Sequence, residues 1–140
     1  MKREMVLSLK AIQSYMGQDP DVVELVTDGI LETTENGFAI SYDESALTGL
    51  EGVRTSFLLE NDSVTLKRTG KLNSQMYFCQ GVSHDSLYET EFGALLLTVC
   101  ATRIHWDLSA EGGTVELAYR IEIEHDASGT VDYHLELKAK

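Results

Sequence analysis

A chain of 140 residues, 43% hydrophobic and 24% charged, has the make-up of one globular domain spanning 1–140, able to bury a core without disulfide or metal staples. Its 23 acidic against 11 basic residues leave a formal net charge of −12, which repels nucleic-acid phosphates and anionic lipid surfaces. The densest basic cluster, Lys67, Arg68 and Lys71, is too small to offset that field, so neither nucleic acid nor membrane is expected as a partner.

The N-terminus starts basic, but Val6–Ala11 is interrupted by Ser8 and Lys10, unlike the unbroken apolar stretch of a signal peptide, and a cytoplasmic location is expected. Met5, Leu7, Leu9 and Ala11 alternate along a first strand. Val22–Thr34 reads as a second, in which Gly29 predicts a bulge or bend. Glu35-Asn36-Gly37 predicts a type I′ hairpin turn, whose positive φ angles suit Asn-Gly, leading into Phe38, Ile40 and Tyr42. Asp43–Gly52 reads as a longer connection with one helical turn.

Val53–Leu59 and Val64–Thr69 flank a tight turn at Asn61-Asp62. Gln75–Cys79 is a short strand, Ser83-His84-Asp85-Ser86 a polar turn, and Tyr88–Phe92 a further strand. Ala94–Leu108 would extend ~50 Å if straight, at about 3.3 Å per residue, too long for so small a domain. Its apolar parity also shifts, from Leu95, Leu97 and Val99 to Ile104, Trp106 and Leu108, which predicts a bulge near Ala101. Apolar residues then alternate from Val115 to Ile123 and from Val131 to Leu137, a hairpin with its turn at Ala127-Ser128-Gly129. Their intervening positions are charged and must face water, the reverse of a membrane barrel.

Nine or ten strands joined by short turns form a meander, and closing it removes both unpaired edges. The expected fold is therefore all-β, a closed antiparallel meander β-barrel of about 8–10 strands. Within that frame Ile40-Ser41-Tyr42-Asp43-Glu44, Val64–Gly70, Met76-Tyr77-Phe78, Tyr88–Gly93 and the strand ending at Tyr119 occur in an order that resembles the YwiB-like family of bacterial proteins. Where the family pattern has proline before the aromatic, this chain has Glu91. The resemblance implies a calycin-like, lipocalin-like barrel and assigns no catalytic residue.

Arg68 shares parity with Val64 and Leu66, so a regular strand points it inward. A buried guanidinium needs a partner, and two readings stand: an anchor for an anion in or at the mouth of the barrel, or a structural arginine that pairs with an internal acid or, near the strand end, reaches water. Tyr42, Phe78, Tyr119 and Tyr133 share the apolar faces of their strands, and with Arg68 they form the candidate ligand-binding set.

His105 and Asp107 sit opposite in parity to Trp106, and His134 stands among outward charges, so no metal site is expected. Cys79 and Cys100 lack metal spacing and are expected as reduced thiols. Glu122, Glu124 and Asp126 read as a solvated face. No nucleophile elbow, phosphate-binding glycine loop or dinucleotide fingerprint occurs. The expectation is a binding protein rather than an enzyme, without cofactor, taking a small amphiphilic or anionic molecule. The alternative is a protein-interaction module that uses the acidic surface and holds no internal ligand.

Overall fold

The computed structural model describes residues 2–15, 18–45, 50–125 and 127–140. Among these, every regular element is a strand: β1 (Lys2–Tyr15), β2 (Asp21–Thr33), β3 (Gly37–Asp43), β4 (Val53–Glu60), β5 (Ser63–Gly70), β6 (Leu72–Cys79), β7 (Ser83–Thr90), β8 (Gly93–Ser109), β9 (Gly112–Ile123) and β10 (Ala127–Ala139). Each pairs antiparallel with its neighbours in sequence, and β10 returns to pair with β1, so the sheet closes into a ten-stranded meander barrel. Alternation decides which side chains enter it. Val115, Leu117, Tyr119 and Ile121 of β9 are buried, as are Val131, Tyr133, Leu135 and Leu137 of β10.

The bulge in β8 lies where the parity shift puts it. The ladder with β9 runs Ala101↔Tyr119 and resumes at Arg103↔Ala118, leaving Thr102 as the extra residue. That one insertion lets Leu97 and Val99 point inward before it and Ile104 and Trp106 after it.

Four local expectations are corrected. The β1–β2 register passes through Gly29 without a shift, so no bulge interrupts that ladder there. Gly29 instead allows a close approach, since a Cβ would lie 3.3 Å from the Ser41 carbonyl oxygen. The β2–β3 hairpin exists, but positive φ occurs at neither Asn36 nor Gly37, so the turn is not type I′. Thr34 N–H donates to the Gly37 carbonyl at 2.9 Å, and Gly37 is required because a Cβ would run into the Leu59 carbonyl oxygen.

The β9–β10 turn lies upstream of the expected site, with Glu124 and His125 at positive φ. Gly129 is already in β10, where a Cβ would strike the Tyr15 ring and the Ser14 carbonyl. Ser83–Ser86, expected as a turn, forms the first half of β7 and pairs with β8. Its polarity hid it, because strands are recognised by apolar alternation and these inward positions are not apolar. The helical turn expected in 43–52 falls on 46–49, outside the described residues.

Candidate functional site

The layer containing Arg68 follows from register. Arg68 of β5 lies directly opposite Thr55 of β4 and Ser74 of β6. Thr55 in turn faces Tyr42 of β3, and Ser74 faces Tyr88 of β7. A row of polar side chains therefore crosses five adjacent strands on the inner face, from Tyr42 through Thr55, Arg68 and Ser74 to Tyr88. From across the barrel, Tyr119 of β9 and Tyr133 of β10 reach the same region.

Arg68 is only 8% exposed. Its Nη2–H donates to the Tyr133 hydroxyl at 2.9 Å, while its Nε–H has no partner among the described residues. No carboxylate of the described residues stands within ion-pair distance of it. Burial alone would lower its pKa, but the hydroxyls of Tyr133 and Tyr119 hold it above the ordinary arginine value, so the group stays charged. The nearby acid, buried Glu44, is otherwise engaged: it accepts from the Thr55 hydroxyl at 2.5 Å and is hydrogen-bonded to Tyr42. The expected alternative of Arg68 paired with an internal acid is therefore not what the geometry contains.

Three tyrosines, Tyr119, Tyr42 and Tyr15, are held as neutral phenols. Burial pushes Tyr119 and Tyr42 well above the usual tyrosine range, with Tyr133 and Glu44 respectively adding to the shift. Tyr15 is raised as well, chiefly by burial. The Tyr119 and Tyr133 rings are stacked with centroids 6.3 Å apart.

A cavity of about 290 Å³ lies beside this group. Arg68, Tyr15, Tyr88, Tyr119 and Tyr133 line its polar side, and Leu97, Ile121, Ile123 and Val131 are among its apolar walls. Three of the five sequence-predicted residues, Arg68, Tyr119 and Tyr133, are thus brought together around one space. Tyr42 belongs to the same polar row but serves Glu44. Phe78 does not line the cavity; it is fully buried and packs against Tyr119 at 4.5 Å.

Sequence reading missed Thr55, Ser74, Tyr15 and Tyr88. The signal for the first two was present: each is a small polar residue at the parity of apolar neighbours, Val53 and Phe57 or Leu72 and Met76.

Elsewhere the residues with metal or acid–base chemistry stay apart. His105 and Asp107 stand exposed, and Glu116 is bound by Arg103 at 2.6 Å with His134 at 3.7 Å. Among the described residues no group of three His, Cys, Asp or Glu side chains could hold a metal ion. Both cysteines are free thiols. Glu124 is more than a solvated acid, since its carboxylate accepts the Leu96 N–H at 2.7 Å where the β8–β9 ladder ends. Among the described residues no helix is long and apolar enough to cross a membrane.

Fold and site together define a closed antiparallel β-barrel with a charged, tyrosine-lined polar layer inside one end. The chain belongs to the family described as Domain of unknown function (DUF1934), whose model matches residues 7–137. It is similar in structure to the ywiB protein from Bacillus subtilis, with a TM-score of 0.82 over 96% of this chain and 92% of that one, at 24% sequence identity. The YwiB-like resemblance expected from the motifs is thereby met, and at this identity the likeness speaks to fold. No curated protein matches the chain.

Proposed function

We propose that this is a cytoplasmic, lipocalin-like binding protein, not an enzyme, which takes a small amphiphilic anion into the end of its barrel. The Arg68 guanidinium holds the anionic group, and the apolar part of the ligand lies against Leu97, Ile121, Ile123 and Val131. The observation that carries this reading is a buried arginine, answered by a phenol rather than a carboxylate, at the wall of a partly open pocket. Buried charges are ordinarily paired, because an unneutralised one forfeits its hydration. An anionic ligand would supply the missing countercharge through bidentate hydrogen bonds.

The space limits the ligand. About 290 Å³ is at the small end of the ~300–1,000 Å³ typical of ligand pockets, so a short-chain or single-ring anion fits better than a long fatty acid. Calorimetric titration with octanoate and with its uncharged counterpart octanol tests the reading. Octanoate is expected to bind the wild type and to lose at least tenfold in affinity to Arg68→Met, with octanol binding weakly to both. Equal octanoate affinity in the two proteins, or no binding to either, would overturn it.

A further inference from the structure

The β6–β7 ladder opens in its middle. The strands pair from Leu72–Ser74 against Tyr88–Thr90 and meet again only at the isolated bridge between Cys79 and Val82. Between these points four residues of β6, Gln75 to Phe78, face five of β7, Ser83 to Leu87, so one register cannot join them. A shallow, solvent-open cleft of about 710 Å³ lies along the gap.

Its lining includes Arg68, Ser74, His84 and Ser86. In these four side chains Nε, Oγ, Nε2 and Oγ respectively are buried without a hydrogen-bond partner among the described residues. Only one other such side-chain atom, Thr34 Oγ1, is found among the described residues, so the orphans are concentrated here. Native interiors leave few polar groups unpaired, and a cluster of them marks a place where something else completes the bonding. His84 is held in position by its ring, which meets Tyr77 edge-on at 4.9 Å.

All four groups can donate: a guanidinium N–H, two hydroxyls and an imidazole N–H. Such a set, carried on three strands and including a cation, suits a tetrahedral oxyanion, which offers acceptor oxygens in several directions. Asp85 and Glu89 of β7 also line the cleft, as does Lys67; both acids are exposed, and Asp85 accepts from Thr98 at 2.7 Å. Arg68 lines both this cleft and the smaller pocket.

We infer that the β6–β7 seam is a phosphoryl-binding subsite, with Arg68, Ser74, Ser86 and His84 as its donors. Taken with the reading above, on which this part rests, the ligand is a phosphomonoester whose apolar end enters the cavity; the alternative source of the same chemistry is free phosphate.

The test compares inorganic phosphate, octyl phosphate and octanoate by calorimetry on wild type and on Ser74→Ala/Ser86→Ala, which removes two unpartnered hydroxyls and so keeps the fold. Phosphate affinity is expected to fall at least tenfold in the double variant. In the wild type the Arg68 Nε–H resonance is expected to shift when phosphate is added, a measurement that needs no variant.

Octyl phosphate binding at least tenfold tighter than phosphate supports the phosphomonoester. Phosphate binding with no gain from the octyl chain keeps the seam site and overturns the cavity reading. Octanoate binding without any phosphate binding, or an unmoved Arg68 resonance, overturns the seam site and leaves the cavity reading standing.

Discussion

Replacing Arg68 with methionine exchanges a buried guanidinium for an apolar chain of similar reach, and its effect on stability separates a binding arginine from a structural one. In the folded protein the charge is 8% exposed and, among the described residues, makes one hydrogen bond, to the Tyr133 hydroxyl. Taking such a charge out of water costs several kcal/mol even after relaxation. A hydrogen bond to a charged group returns about 1.5–3 kcal/mol. Tyr133 keeps its bond to Tyr119 when Arg68 is removed, so no phenol is stranded, although Glu44 loses a distant attraction. The balance favours the variant by about 1–2 kcal/mol.

At roughly 2.1 cal/mol/K of unfolding entropy per residue, each kcal/mol moves the midpoint of a chain this size by about 3–4 °C. Arg68→Met is therefore expected to melt roughly 3–7 °C higher than wild type in buffer free of phosphate and carboxylate, followed by circular dichroism. A midpoint several degrees below wild type would refute the reasoning, because the arginine would then be a brace that the fold requires.

Gly37→Ala should cost about 2–3 kcal/mol, since its Cβ meets the Leu59 carbonyl and must push β3 from β4. Gly81→Ala, at φ +80° in open space, should cost only about 1–2 kcal/mol; equal losses in urea unfolding would contradict this contrast. Phe78→Ala should lose about 3–5 kcal/mol as a core truncation, with a near-wild-type loss counting against its place in the core. At alkaline pH the raised pKa values of Tyr15, Tyr42 and Tyr119 mean that the unfolded chain releases these protons first. Their contribution to stability is complete below about pH 10 and is lost as pH rises toward the folded values. Ultraviolet titration should then show Tyr42 and Tyr119 ionising only as the barrel unfolds; if all six tyrosines ionise near the ordinary value in the folded protein, the burial argument fails.

Which side chains face the middle was legible wherever apolar and polar residues alternate strictly. Val115–Ile121 and Val131–Leu137 specify two faces without reference to any other part of the chain, because successive strand side chains point to opposite sides. The same rule located the bulge near Ala101, since a change of parity inside one strand requires an extra residue, which the ladder shows to be Thr102. It also put Arg68 indoors. Short connections then made a meander, and the cost of open edges made it close.

Tertiary structure alone decided what Arg68 meets. Tyr133 lies 65 positions away from it in the chain, and no local pattern encodes that β10 crosses the barrel to face β5. The same holds for the seam. Ser74 lay just outside an expected strand and Ser86 in an expected turn, until pairing brought β6 beside β7 with one residue too many on one side. Alternation is a property of neighbours along the chain and can be read from it. Register and cross-barrel contact depend on how all ten strands share one closed circumference, and that is settled only when the barrel has formed.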